Sequence, residues 1–110
     1  MKSGPFLRAR GFTAVVAAND LIALGALQVL QAKGIDVPQD VSLIGHNDMP
    51  LLDQLRPPLT SVRIQHYEMG HRAARLLLDM LGDGPGGAST VVLRPELMVR
   101  GSTAAAPGRA

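Results

Sequence analysis

Apolar residues along the chain fall into short runs divided by turn formers, and two of the runs repeat at helical spacing. Residues 1–11, with Gly4, Pro5 and Gly11, read as a leader. Residues 12–18 are apolar and partly β-branched without alternation, the pattern of a strand buried on both faces in a parallel sheet. Asn19 or Asp20 can cap the helix that follows, because a short side-chain oxygen accepts the N–H groups that the first helical turn leaves unpaired. That helix runs to about Lys33, with Leu21, Leu24 and Gln28 near one stripe. Gly34 stands where a left-handed stop is wanted. A turn at 35–40 leads into a second short strand at 41–45. Strand, helix and strand joined by short links predict a βαβ unit with a right-handed crossover.

Beyond it, residues 49–58 form a loop closed by Pro57 and Pro58, and 59–64 is a third extended run. Residues 66–81 repeat as an amphipathic helix, with Met69, Ala73, Leu76, Leu77 and Met80 on one side and Arg72, Arg75 and Asp79 outward. The Gly-rich run at 82–87 breaks the chain. Two short strands, 91–93 and 97–99, flank Arg94-Pro95-Glu96, and from Ala104 a Gly/Pro/Ala tail frays. The organisation predicted is a leader at 1–11, a βαβ core at 12–64, a helix and connector at 65–88, returning strands at 89–104 and a disordered tail at 105–110. The fold class is α/β: a parallel sheet, a following helix and two short C-terminal strands.

Composition narrows the function classes. Of the 110 residues, 46% are hydrophobic and 18% charged, which suits a folded chain and excludes wholesale disorder. Aromatic residues make up only 3%, too few to stack the bases of single-stranded nucleic acid. The arginines are scattered, with no run that could follow a phosphate backbone, so the net charge of +2 points to a solvated surface. The absence of Cys removes disulfides, thiolate catalysis and Cys-based metal sites. No stretch approaches the roughly 20 apolar residues that span a bilayer. The first residues lack the apolar middle of a secretion signal, so a cytoplasmic chain without membrane contact is expected.

One polar cluster is gathered by topology. Ligands of open α/β sheets collect at the carboxyl ends of the strands, and those ends carry Asn19–Asp20 and His46–Asn47–Asp48. Such residues either rim a pocket for a polar ligand or merely cap a helix and open a loop. A metal site is not supported: His66 and His71 stand about 140° apart around a helix, and His46 is remote from both in sequence. Enzyme readings fail as well. Ser42, Ser61 and Ser102 occupy no nucleophile elbow, and the Gly run at 82–87 opens no phosphate-binding helix. No catalysis and no cofactor are expected. Leu21, Leu24 and Gln28, together with Leu51, Leu52 and Leu55, offer more apolar surface than a lone βαβ unit needs, as core or as a subunit interface.

Four segments taken in order resemble consecutive motifs of the LacI/GalR family of transcription regulators. They are Val-Ala-Ala-Asn-Asp-Leu-Ile-Ala-Leu-Gly-Ala-Leu at 16–27, Gly-Ile-Asp-Val-Pro-Gln-Asp-Val-Ser-Leu-Ile-Gly-His-Asn-Asp at 34–48, Pro-Pro-Leu-Thr-Ser-Val-Arg at 57–63 and Tyr-Glu-Met-Gly at 67–70. The first two are shared with periplasmic sugar-binding proteins; the last two are more typical of repressors. The likeness spans about residues 7–104. It implies part of a periplasmic-binding-protein-like type I fold that closes on a sugar, nucleobase or similar effector. It also implies a homodimer, with operator DNA bound through a helix-turn-helix headpiece that these residues do not contain.

By that resemblance Asn19 takes the place of a ligand-contacting Asn, and Asn47 that of a ligand-contacting Asp. His46 replaces an aromatic residue, and His66 falls where some members line the pocket. Asp20 and Asp48 complete the expected ligand set. An amide accepts and donates, whereas a carboxylate grips two hydroxyls as acceptor, so Asn47 alters how a sugar diol would be held. Leu24 and Leu55 fall on family dimer positions, which extends the interface expectation to Gln28, Leu51 and Leu52. The resemblance places the 66–81 helix on a subdomain that lies outside this span, as though the piece were truncated. The alternative reading is a fragment of the periplasmic sugar-binding protein of an ABC transporter.

Overall fold

Three short parallel strands set their carboxyl ends along one edge, and one helix covers the face behind them. The computed structural model describes residues 11–82 and 89–108. The expected leader up to residue 10, the connector at 83–88 and the last two residues lie outside the described residues. The elements in order are β1 (Ala14–Val16), α1 (Asp20–Ala32), β2 (Ser42–Asn47), a 3-10 turn at Leu52–Gln54, β3 (Thr60–Arg63), α2 (His66–Leu81) and β4 (Glu96–Met98). The sheet order is β1-β2-β3-β4. β1 with β2 and β2 with β3 are parallel, and β3 with β4 is antiparallel. The α/β class and the βαβ unit are as the sequence predicts.

The local cues for α1 act as expected. Asn19 Oδ1 accepts from the Ile22 N–H at 2.9 Å, which caps the helix. At the other end Gly34 adopts φ 74°, and its N–H donates to the Gln31 carbonyl at 3.1 Å. Ala23 and Leu27 then point inward and pack with Ala17, Val37, Leu43, Leu52 and Leu59. Leu43 and Leu59 are fully buried, so the core lies between α1 and the middle strands.

The first strand departs from expectation. The strand spans Ala14–Val16, and Val16 is 76% exposed, so β1 is not buried on both faces. Among the described residues it pairs only with β2 and is covered on one side only.

The C-terminal return departs too. One strand forms, at Glu96–Met98, and residues 91–93 are in none. Pro95 stands immediately ahead of β4 and has no N–H to give a ladder. After β4 the chain does not fray at Ala104. Ser102 is fully buried: its hydroxyl donates to the Leu43 carbonyl at 2.6 Å and accepts from the Thr60 N–H at 2.8 Å. The Ala104 N–H donates to Ser42 Oγ at 3.1 Å. Hydrogen bonds, not apolar burial, anchor this segment.

The chain divides into two compact units. One runs to Arg63 and resumes at Glu96; the other is Ile64–Pro95. In the second unit Gln65 Nε2 donates to the Arg94 carbonyl at 3.0 Å, and the Tyr67 and His71 rings stack with centroids 6.1 Å apart. Met69, Ala73 and Leu76 line a shallow hollow with Val91 and Leu93, but no residue of α2 is buried.

Candidate functional site

The carboxyl edge of the sheet is built around a missing side chain. Gly45 lets the first turn of α1 approach β2 closely. A Cβ there would collide with Asp20 Oδ1 and stand 3.3 Å from the Asp20 backbone and 3.1 Å from Leu59. The close approach brings the Asp20 carboxylate, 1% exposed, into the loop that follows β2. Its Oδ1 accepts from Ser61 Oγ at 2.7 Å and its Oδ2 from the Met49 N–H at 2.8 Å. Asp20 is thus committed to the fold, contrary to the expectation of a ligand-facing acceptor. A buried carboxylate without those donors would be costly.

The chain leaves β2 through an unusual turn. Asn47, Asp48 and Leu51 all have positive φ, at 112°, 54° and 74°. Asn and Asp enter this region more readily than other side chains, whereas Leu51 needs its surroundings to hold it there, and such residues gather at functional sites. The Asp48 N–H donates to Ser61 Oγ at 2.9 Å. Its carboxylate, 7% exposed, meets Arg63 Nε at 2.8 Å on Oδ2 and Arg100 Nη2 at 2.7 Å on Oδ1. The Arg100 contact is an ion pair set by charge more than by hydrogen-bond alignment. Burial pushes the Asp48 carboxyl up. The contacts and charges of Arg100 and Arg63 outweigh that and hold it below the usual carboxylate range.

His46 and Asn47 stand differently. Both are half-buried, and among the described residues neither side chain has a hydrogen-bond partner. Asn19 spends its oxygen on the helix cap and keeps its amide N–H groups. Of the two readings the sequence left open, the cap is therefore observed, and Asn19 stands at the carboxyl edge of the sheet. His66 opens α2 in the Ile64–Pro95 unit and is exposed. Sequence reasoning missed Ser61, Arg63 and Arg100 as parts of this arrangement. Only the Ser-Val-Arg motif touched two of them, without a role.

Beside the polar edge lies an apolar hollow of about 160 Å³, formed by Leu21, Leu24, Met49, Leu51, Leu52 and Leu55 with Asp20 and Pro50. Leu51 is 73% and Leu21 63% exposed, while Leu52 is buried in the core. The structure thus gathers Leu21, Leu24, Leu51, Leu52 and Leu55 as the sequence grouped them, with Leu52 also buried in the core. Gln28 is exposed and does not line the hollow.

Comparison with known proteins follows the same outline. The chain is 50% identical over 99 residues to the HTH-type transcriptional regulator MalR of Streptomyces coelicolor, covering 90% of this chain and 29% of MalR. The crystal structure of the transcription regulator CcpA of Lactococcus lactis matches with a TM-score of 0.79 at 32% identity, covering 93% of this chain and 38% of CcpA. A LacI family regulator from Arthrobacter sp. FB24, solved in complex with lactose, matches with a TM-score of 0.74 at 34% identity, covering 93% of this chain and 40% of that one. The chain spans less than a third of the length of MalR, at 29%. Residues 4–103 match the periplasmic binding protein-like domain. The chain belongs to the periplasmic binding protein-like domain family, in the form that LacI-type transcription regulators carry.

Proposed function

We propose that this chain is the effector-sensing and subunit-pairing segment of a LacI-type transcription regulator, with Asn19, His46 and Asn47 meeting a neutral polyhydroxyl ligand. One observation carries the reading: the Asn47 amide is half-buried, held at positive φ and unpartnered among the described residues, at the carboxyl end of β2. A polar group so placed is matched to a ligand that supplies both donors and acceptors, as sugar hydroxyls do. The lactose bound to the Arthrobacter relative supports that class. Regulation, not transport, follows from the relatives, which are transcription regulators. Operator binding falls to parts of the regulator outside this span. Subunit pairing falls to the hollow at Leu24 and Leu55, whose exposed rim, Leu21 and Leu51, suits a second copy.

Calorimetric titration with lactose and a panel of neutral mono- and disaccharides tests the ligand class. One member should bind, and Asn47→Ala should weaken it about tenfold or more, the order expected when hydrogen bonds to a buried group are lost. Equal binding by wild type and variant, or none across the panel, overturns the reading.

A further inference from the structure

Asp48 follows Asn47 directly, yet its carboxylate is turned to the protein. Its two oxygens face Arg63 from β3 and Arg100 from the segment after β4. Arg100 is itself fixed, for its Nη1 donates to the Leu59 carbonyl at 2.8 Å and its backbone N–H to Thr60 Oγ1 at 2.9 Å. The backbone of the turn is held on the other side by Ser61 and Asp20, through the N–H groups of Asp48 and Met49. These contacts enclose the two positive-φ residues, Asn47 and Asp48.

We propose that Asp48 is a positioning residue: paired with Arg63 and Arg100, it latches the left-handed turn that presents the Asn47 amide. The latch ties the segment after β4 to the carboxyl edge of the sheet, so a displacement of Arg100 reaches Asn47. It deepens the ligand reading above and rests on it only for the identity of what Asn47 meets. Among the described residues the charged and titratable groups around Asp48 are Arg63, Arg100, Asp20 beneath the neighbouring N–H, His46 two residues before it on β2, and Glu96 of β4, the register partner of Arg63.

The test is amide hydrogen exchange by NMR on the full ligand-free chain, corrected for intrinsic rates. Asp48→Asn should raise exchange at Met49 and at Asp48's own position about tenfold, the order of one charge-assisted hydrogen bond. The Leu27 and Leu43 amides should be unchanged. Lowering the pH through the carboxylate range should raise exchange at the turn of wild type, and in the Asp48→Asn protein this response should flatten. Arg100→Met should loosen the turn as Asp48→Asn does, and Arg100→Lys, which keeps the charge, should restore part of the protection. If Asp48→Asn does not fold, the Arg100 pair decides. Turn amides that keep their protection in these variants overturn the proposal, as does a turn that opens only in step with Leu27 and Leu43. No sugar enters these measurements, so a failed ligand titration leaves the latch standing, and a failed latch leaves the titration valid.

Discussion

Gly45 shows how much a single hydrogen atom decides at this edge. Its absent side chain is the space that Asp20 fills, and Asp20 in turn holds Ser61 and Met49. Gly45→Ala should force the first turn of α1 away from β2 and cost about 1–3 kcal/mol, as overpacking does. A lower urea midpoint with an unchanged slope would register it, and an unchanged midpoint would show that the approach is not tight. Asp48 gives a pH-dependent counterpart. Its folded carboxyl binds a proton less readily than the ordinary value of 3.8, so it adds stability that is complete above that value. That stability is lost as the pH falls below 3.8 through the folded value. The stability gap between wild type and Asp48→Asn should therefore be constant near neutrality and shrink below pH 3.8. Urea titrations at stepped pH check this, and a gap that does not change with pH contradicts it.

Among the elements, α1 was legible and the C-terminal return was not. Asn19, the Ala23 and Leu27 face and Gly34 act within a turn or two of themselves, where periodicity and capping operate. Residues 91–93 carry an apolar β-branched pattern yet pair in no strand among the described residues, and Ala104, where a frayed tail is expected to begin, is sewn in together with Ser102 and Thr103 by hydroxyls. Partners far off in sequence decide both cases. The second face of α1 carries a prediction. Leu24 lies half-buried in the apolar hollow with Leu21 and Leu51 exposed around it. Burial of one Leu contributes roughly 1.5–3 kcal/mol, so Leu24→Glu should weaken self-association roughly tenfold to a hundredfold. Sedimentation over a concentration series measures it. Wild type that sediments as a monomer at high concentration removes the interface.

At the scale of the whole molecule, the described helices do not suit duplex recognition. Specific reading needs an element in a groove with side chains on base edges, backed by clustered phosphate contacts. α1 has no basic residue in its last turn, and Asp20 stands at its start. Arg63 and Arg100 are engaged with Asp48, and Arg72 with Glu68. These 110 residues should bind DNA only weakly and without sequence preference, through scattered arginines whose attraction falls with salt. A gel-shift titration at about 150 mM salt, near physiological strength, would overturn this if one duplex won over random competitor. No described helix is long and apolar enough to cross a membrane.

The sequence by itself determined the βαβ order, the start and stop of α1 and the gathering of polar residues at the strands' carboxyl ends. Each depends on near neighbours or on the connectivity of parallel strands. Tertiary structure alone decided which of those polar residues face outward. Asp20 and Asp48 stand in the expected ligand set, and both are drawn inward by donors supplied from elsewhere, Ser61, Arg63 and Arg100. Asn47 and His46, the apparent departures from the family pattern, are left without partners among the described residues. A buried carboxylate demands partners within the protein, whereas a half-exposed amide or imidazole can meet water or a ligand, and the position of the carboxylates' partners follows from the packing of β3 and the returning chain.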